Sequence, residues 1–493
     1  MSEEVARRRA AFAGRPALRL LIDGAWVPAA SGETFSVLDP ASGERIAEAA
    51  AGSAADIDCA VAAARRSFER RTWLDIPAPA RARIFFNIAD LIDSASAEFV
   101  ELEVFDNGMP ALQAQRIVGL AAEAFRYFGG WITKIHGSTS ELNVGGSNFH
   151  AYTLREPVGV AGLIVPWNGP VLFAAQKLAV SLAAGCSVVL KPAEETPLSA
   201  LKLGELLLQA GIPAGVANVV TGFGETAGAA LAAHQDVDKV AFTGSTEVGK
   251  SIIKAAAGNL KKVTLELGGK SPVIVFDDAD LAAASAGAAM GIFSNAGQTC
   301  IAGSRLFVHR KVYDEVVGKI AAIAKSLKVG RGFDPTTQMG PLISERQRER
   351  VISLIQSATG EGGQAVSGGG RLEGAGYFVQ PTVLTGLARG ARILREEVFG
   401  PVIAATPFDD IDEVVELAND TVYGLAAAIW TRDIGRAHGL ARRIRAGTVW
   451  LNCQRLLDYS MPFGGFKQSG WGRESGWEGV EAFLQTKSVY AAL

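Results

Sequence analysis

The chain is poor in several things, and each shortage excludes a class of function. It has four cysteines among 493 residues, at 59, 186, 300 and 453, and no two are at C-x-x-C spacing. Four could form two disulfides, but so few in a long chain are read as reduced. The five histidines form no H-E-x-x-H, and there is no Cys/His cluster or calcium-loop spacing. A metal role therefore finds no footing. Neither sign of charge is in marked excess: 48 Lys and Arg against 51 Asp and Glu leave −3. That excludes the basic footprint of a nucleic-acid binder and a polybasic membrane patch. The longest apolar stretches, such as 281–293, are rich in Ala and Gly and fall short of the ~18 residues a spanning helix needs. The opening Met-Ser-Glu-Glu-Val-Ala-Arg-Arg-Arg lacks the apolar core of a signal peptide, and its acidic pair argues against a transit peptide. The cytoplasm is the expected location. Neither an internal repeat nor a low-complexity linker is visible.

What is present is globular. Hydrophobic residues make up 48% and charged residues 20%, enough to bury large cores, and the length suggests two to four domains at roughly 100–200 residues each. From 160 to 267 the pattern alternates between strand and helix. Short apolar strands are expected at 160–165, 187–190, 217–221, 239–242 and 263–267, with helices at 170–184, from Thr196 as N-cap and Pro197 as first helical residue to Gly211, at about 225–233 and at 246–257. Such alternation means parallel crossovers and a doubly wound α/β sheet, whose ligands bind at the carboxyl ends of the strands. The turn Ala241-Phe-Thr-Gly-Ser-Thr-Glu-Val-Gly249 sits at one such end. There Gly244 permits a tight turn, and the amides opening the next helix favour an anion such as a dinucleotide pyrophosphate. A second glycine-rich turn, 222–228, supports this. After about 270 a second α/β pattern begins with a strand at 273–276 and a long Ala-rich helix. The end, 482–490, reads as an exposed strand with no neighbour in sequence, which invites pairing with another chain.

The chemistry lies in three short segments. Cys300 sits in Phe-Ser-Asn-Ala-Gly-Gln-Thr-Cys-Ile-Ala, Glu266 in Glu-Leu-Gly-Gly-Lys, and Asn168 in Pro-Trp-Asn. A lone cysteine is ordinarily a small buried hydrophobe. A thiol, a carboxylate and an amide donor together are the nucleophile, base and oxyanion stabiliser of acyl chemistry.

With Lys-Pro-Ala-Glu, Phe-Thr-Gly-Ser-Thr, Glu-Glu-Val-Phe-Gly-Pro and Pro-Phe-Gly-Gly-Phe-Lys-Gln-Ser-Gly in order along the chain, these segments resemble the NAD(P)-dependent aldehyde dehydrogenase superfamily from about residue 20 onward. The resemblance implies an α/β fold with a Rossmann-type cofactor domain (1–134 and 158–268) and a second α/β catalytic domain (269–468). It also implies a small bridging β-sheet for oligomerisation (135–157 and 478–493), in a homodimer or homotetramer. It implies oxidation of an aldehyde to a carboxylate. Cys300 attacks the aldehyde carbon, Asn168 and the Cys300 amide hold the oxyanion, and Glu266 activates the water that hydrolyses the thioester. Lys177, on a helix, and Glu474 match a lysine near the catalytic amide and a proton relay; the plainer alternative for each is a surface charge. For the cofactor it implies NAD, with NADP the poorer one because a carboxylate at Glu194 repels a 2′-phosphate. Lys191 and Glu194 take the adenosine ribose. Ile164, Pro166, Trp167, Gly224, Phe242, Gly244, Ser245, Leu267, Gln347, Glu397 and Phe399 complete the cofactor set. Glu266 lies 22 residues after Gly244, where the dinucleotide fingerprint expects a ribose-binding acid; the resemblance assigns it to catalysis instead.

The expected substrate pocket comprises Gly169, Phe173, Gln176, Thr299, Ile301, Leu457 and Phe463. Gly169 and Gln176 stand where relatives for small aldehydes often carry aromatics, and Leu457 and Asp458 where further apolar wall is common. A wider, more polar pocket suits a bulky or polar aldehyde. Three rivals remain open. Acyl-CoA formation is disfavoured because Glu266 favours water. A cysteine hydrolase needs a histidine paired with the thiol. A non-catalytic protein on the same fold sits poorly with Cys300, Glu266 and Asn168 all intact.

Overall fold

The computed structural model describes residues 12, 14 and 16–493. The charged start, and with it the beginning of the expected 1–134 segment, lies outside the described residues. Two large sheets, each covered by helices, stand side by side. The first has eight strands, in the order Gly470–Trp471, Lys262–Glu266, Lys239–Thr243, Val160–Ile164, Ser187–Lys191, Ala217–Val219, Leu20–Ile22, Ala25–Val27. Its five central strands are parallel. Four of them, Lys239–Thr243, Val160–Ile164, Ser187–Lys191 and Ala217–Val219, are buried at every position, as strands covered on both faces by crossover helices must be. Helix Pro170–Ala184 ends at Gly185 and helix Leu198–Ala210 at Gly211, with φ of 100° and 102°. Glycine is favoured at such left-handed caps.

One expected cap fails. Thr196 does not cap the helix beginning at 198; its buried hydroxyl has no hydrogen-bond partner among the described residues. The Leu198 N–H instead donates to Asp106 Oδ2 at 3.1 Å.

The second sheet has seven strands, in the order Gln364–Ser367, Thr382–Thr385, Val402–Phe408, Arg305–His309, Pro272–Val275, Ala426–Trp430, Thr448–Leu451. All its pairings are parallel except the first. The alanine-rich helix is Leu281–Phe293, capped by Asp280, whose carboxylate accepts from the amides of Ala282 and Ala283. Among the described residues no helix is long and apolar enough to cross a membrane.

A third, antiparallel sheet joins Thr139–Val144, Ser147–Pro157 and the terminal strand Leu484–Ala492. The terminal strand is therefore paired on one side, against Phe149 to Pro157, and open on the other. The reading of it as unpartnered held only for its sequence neighbours.

The step from this small sheet into the first large one is tight. Gly159 has φ of +131°, and a Cβ there would stand 1.9 Å from Asp238 Oδ2. Asp238 in turn accepts from the Val160 N–H at 2.7 Å and pairs with Arg65 at 2.5 Å. A Gly159→Ala substitution should therefore strain the backbone and push away a carboxylate that holds the first central strand. We expect it to cost about 1–3 kcal/mol, read as a lower denaturation midpoint than wild type; an unchanged midpoint would refute this account of the junction.

Candidate active site

The chain leaves the first sheet at Glu266 and enters the second at Pro272. The four residues Leu267 to Lys270 cross close under two other segments. A Cβ on Gly268 would lie 2.3 Å from Glu397 Oε2, and one on Gly269 would lie 2.4 Å from the carbonyl oxygen of Cys300. The Gly269 N–H donates to Glu397 Oε1 at 2.8 Å. Absent side chains thus let Glu397 and the Cys300 loop lie on the joint between the sheets.

Cys300 follows a strained turn. Asn295, Ala296 and Gly297 all have positive φ, of 53°, 52° and 71°, and two of them are non-glycine residues in a costly region. The turn is held by named bonds. Asn295 Nδ2 donates to the Asn168 carbonyl at 2.9 Å, and Asn168 Nδ2 donates to the Gln298 carbonyl at 2.8 Å. Gln298 accepts from the Ile343 N–H at 2.8 Å. The Asn295 N–H donates to Gln113 at 3.2 Å. Asn168 is thereby fixed against the loop that carries Cys300. An amide nitrogen carries two hydrogens, so the Gln298 bond leaves one for an incoming oxygen.

Burial, then the charges of Glu397 and Glu266, push the Cys300 thiol up to about 12. The charged groups that bear on it most are these carboxylates, with no histidine among them, so the hydrolase arrangement finds no support. Glu266 is buried, and neither carboxyl oxygen has a hydrogen-bond partner among the described residues. Burial and then the Glu474 charge raise it well above the ordinary carboxylate range, against a smaller opposing pull from Lys177 and Arg473. An unpartnered buried carboxylate is expensive and points to function.

Lys177 and Glu474, for which a surface location was the plainer alternative, are both buried and form an ion pair. Gln176 Nε2 donates to Ser475 Oγ at 3.2 Å and approaches Glu474 at 3.4 Å. Its amide is thus tied to that pair rather than presented as free pocket wall. Ile301, also expected in the pocket, is 4% exposed and lies in the core of the second unit. Phe173, Thr299 and Phe463 are partly exposed, Leu457 is exposed, and a Cβ on Gly169 would touch the Phe173 ring at 3.1 Å.

The cofactor candidates gather at the carboxyl ends of the first sheet's strands. Ile164 ends one strand, followed by Pro166 and Trp167, and Lys191 ends the next. Lys191 Nζ donates to Glu194 at 2.9 Å. Burial pulls the Glu194 carboxyl up, but Lys191 and the Gly224 amide more than offset this and leave it below the usual range. Helix Thr246–Ala256 opens after Gly244 with Ser245 as its cap. A Cβ on Gly244 would meet the Phe242 ring at 2.4 Å, and one on Gly249 would meet Leu267 at 2.7 Å, whereas one on Gly224 would meet nothing within 4 Å. Trp167 and Phe399 stand edge to face at 5.2 Å, and Phe399 has φ of 53°. Burial raises Glu397 to about 7. Gln347 spends its amide donors on the Val398 and Phe399 carbonyls, at 3.2 and 2.8 Å. It grips the Phe399 backbone. A helix N-terminus, an acid paired to a lysine and an open glycine turn suit the diphosphate and ribose of a dinucleotide.

Sequence reasoning missed a second layer. Helix Ser96–Asp106 and its cap Asn107 bond to the segment Trp167–Val171, where the chain enters helix Pro170–Ala184. Asn107 Nδ2 donates to the Trp167 carbonyl at 2.8 Å, and Glu103 accepts from the Val171 N–H at 3.0 Å. Glu103 and Asp106 are wholly buried. Burial raises both carboxyls, and the Glu103 charge raises Asp106 further. Two acids three apart in the apolar run Leu-Glu-Val-Phe-Asp-Asn were the available signal.

Known proteins match this architecture throughout. The model of the aldehyde dehydrogenase family matches residues 26–489. Aldehyde dehydrogenase 1 of Tanacetum cinerariifolium is 48% identical, over 96% of this chain and 94% of its own. Phenylacetaldehyde dehydrogenase of Pseudomonas fluorescens is 46% identical, over 96% and 95%. A solved NAD+ complex of an aldehyde dehydrogenase from Bacillus cereus superposes with a TM-score of 0.95 at 44% identity, covering 100% of this chain and 99% of that one. The chain belongs to the aldehyde dehydrogenase family.

Proposed function

We propose that this enzyme oxidises a bulky or polar aldehyde to the free carboxylate, with NAD as the hydride acceptor and Cys300 as the nucleophile. The observation that carries the reading is the convergence of Cys300, Asn168 and the unpartnered Glu266 on the glycine joint between the two sheets. Lys191, Glu194, Gly244, Ser245 and Glu397 would hold the cofactor, and the bound oxidised nicotinamide supplies the hydride acceptor. Glu194 disfavours a 2′-phosphate and so favours NAD over NADP.

The residues divide the work. The Cys300 sulfur bonds to the aldehyde carbon, and the remaining Asn168 hydrogen and the Cys300 N–H hold the nascent oxyanion. Loss of hydride leaves a thioester on Cys300. Glu266 takes a proton from water, the water oxygen adds to the thioester carbon, and the thiolate leaves with the carboxylic acid released. Glu474, held by Lys177 and Gln176, relays that proton outward. The described part of 1–134, together with 158–268, forms the cofactor domain and 269–468 the catalytic domain. The open edge of Leu484–Ala492 pairs 135–157 and 478–493 with another copy in a dimer or tetramer. The enzyme works in the cytoplasm.

Two experiments test these roles. Cys300→Ala should abolish NADH formation from any aldehyde, while Glu266→Gln should keep a single-turnover burst and lose steady-state turnover by roughly 10²–10⁴-fold. Undiminished oxidation by the first variant, or normal turnover by the second, removes the residue from its role. The second experiment uses pH. Glu266 acts as a base only when ionised, so its raised pKa should leave turnover still climbing above the ordinary glutamate value of about 4.3. Glu474→Gln removes the charge that raises Glu266 and leaves Lys177, which lowers it. The acid limb of the turnover–pH profile should then move to lower pH; an unmoved or raised limb contradicts the coupling.

A further inference from the structure

Two arginines near the Cys300 loop, Arg455 and Arg116, have no acid to pair with among the described residues. Arg455 lies in the loop after strand Thr448–Leu451, in a left-handed conformation with φ of 63°. The loop is tied at two points just after it. Trp450 Nε1 donates to the Leu456 carbonyl at 2.8 Å, and the Tyr459 hydroxyl donates to the Leu120 carbonyl at 3.0 Å. Leu120 is on helix Ala111–Gly129, which also carries Arg116. One turn before Arg116 on that helix, Gln113 accepts from the Asn295 N–H. Residues 113, 116 and 120 share a helix face, so Arg116 lies between the turn leading to Cys300 and the loop carrying Arg455.

Arg455 is partly buried, within electrostatic reach of the Cys300 thiol and the Arg116 guanidinium. Burial, and then the Arg116 charge, hold it below the ordinary arginine range despite the pull of the thiol. Its nearest polar partner is the Met290 carbonyl at a long 3.5 Å. Among the described residues, no carboxylate is in ion-pair contact with Arg455 or Arg116. The nearby acids are otherwise engaged: Asp458 accepts from the Ser460 amide and hydroxyl, and Glu123 pairs with Arg126. A partly buried cation that feels a second one and has no counter-charge is costly, and a ligand that supplies the charge removes the cost.

We propose that Arg455 and Arg116 clamp a carboxylate at the far end of the substrate, so that the preferred aldehydes are half-aldehydes of dicarboxylic acids. This rests on the aldehyde-oxidising reading above and narrows its substrate class. A planar guanidinium matches a carboxylate through two parallel hydrogen bonds.

The test compares kcat/KM for succinate, glutarate and adipate half-aldehydes with butanal, pentanal and hexanal. Wild type should favour one of the acids over its uncharged counterpart by on the order of tenfold to a hundredfold, the worth of charge-assisted hydrogen bonds. The advantage should appear in KM and shrink as salt rises. Arg455→Gln, and independently the exposed-helix variant Arg116→Gln, should bring the acid-to-uncharged ratio toward one, with Arg455→Lys retaining part of it. NADH formation from all the aldehydes without a preference for the acids overturns this inference and leaves the oxidation standing. A ratio unchanged in both Gln variants overturns it as well. Absence of NADH from every aldehyde defeats the underlying reading too.

Discussion

The site depends on how closely two backbones approach between Glu266 and Lys270. Glu266 ends a strand of one sheet, and Pro272 begins a strand of the other. Between them the chain passes so near Glu397 and the Cys300 carbonyl that a single methyl group at 268 or 269 would collide with it. Main chain positions these groups more rigidly than side-chain packing could, because its geometry is set by sheet hydrogen bonds on both sides. Carboxylate and thiol come from different sheets, yet their relative placement is settled by a few bonds of backbone.

Much of this could be read from the sequence, for identifiable reasons. Strands buried on both faces are short apolar runs, and glycine marks where they turn, so Val160–Ile164 through Lys262–Glu266 emerged from periodicity almost to the residue. The motif around Cys300 pointed to a nucleophile. It could not reveal the left-handed Asn295–Gly297 turn, because Asn295 and Ala296 adopt that conformation under tertiary constraint. The Thr196 cap failed for a similar reason: Asp106, 90 or so positions away, supplies the acceptor instead. The burial of Lys177 and Glu474 was equally invisible, since each looks like a surface charge until the two are brought together. Gln347 shows the same limit, its partners being the carbonyls of Val398 and Phe399.

Burial is the dominant force on the reactive groups, and it acts against them. It raises the thiol of Cys300 and the carboxyl of Glu266, so each is held away from its reactive, charged form. A surface cysteine would ionise more readily, but water would then compete with every step and screen the oxyanion donors. Water exclusion and nucleophile ionisation therefore pull in opposite directions. Lys177 and Arg473 oppose the upward shift of Glu266 without cancelling it. What remains is a carboxyl held above its ordinary range, with neither oxygen hydrogen-bonded among the described residues.

The acids behind the Trp167–Val171 segment extend the same logic to positioning. Glu103 and Asp106 receive the first amides of helices Pro170–Ala184 and Leu198–Ala210, where the helix dipole favours negative charge. Both are wholly buried, and ionising one discourages the other. Each carboxyl accepts at the start of a different helix, and the two sit one turn apart on helix Ser96–Asp106. That arrangement fixes the starts of the two helices relative to each other. One helix follows the loop that carries Asn168, and the other follows the strand end that carries Lys191. The segments carrying Asn168 and Lys191 are thus referred to one buried anchor, so that a shift of either alone would break a bond to a group with no solvent to replace it.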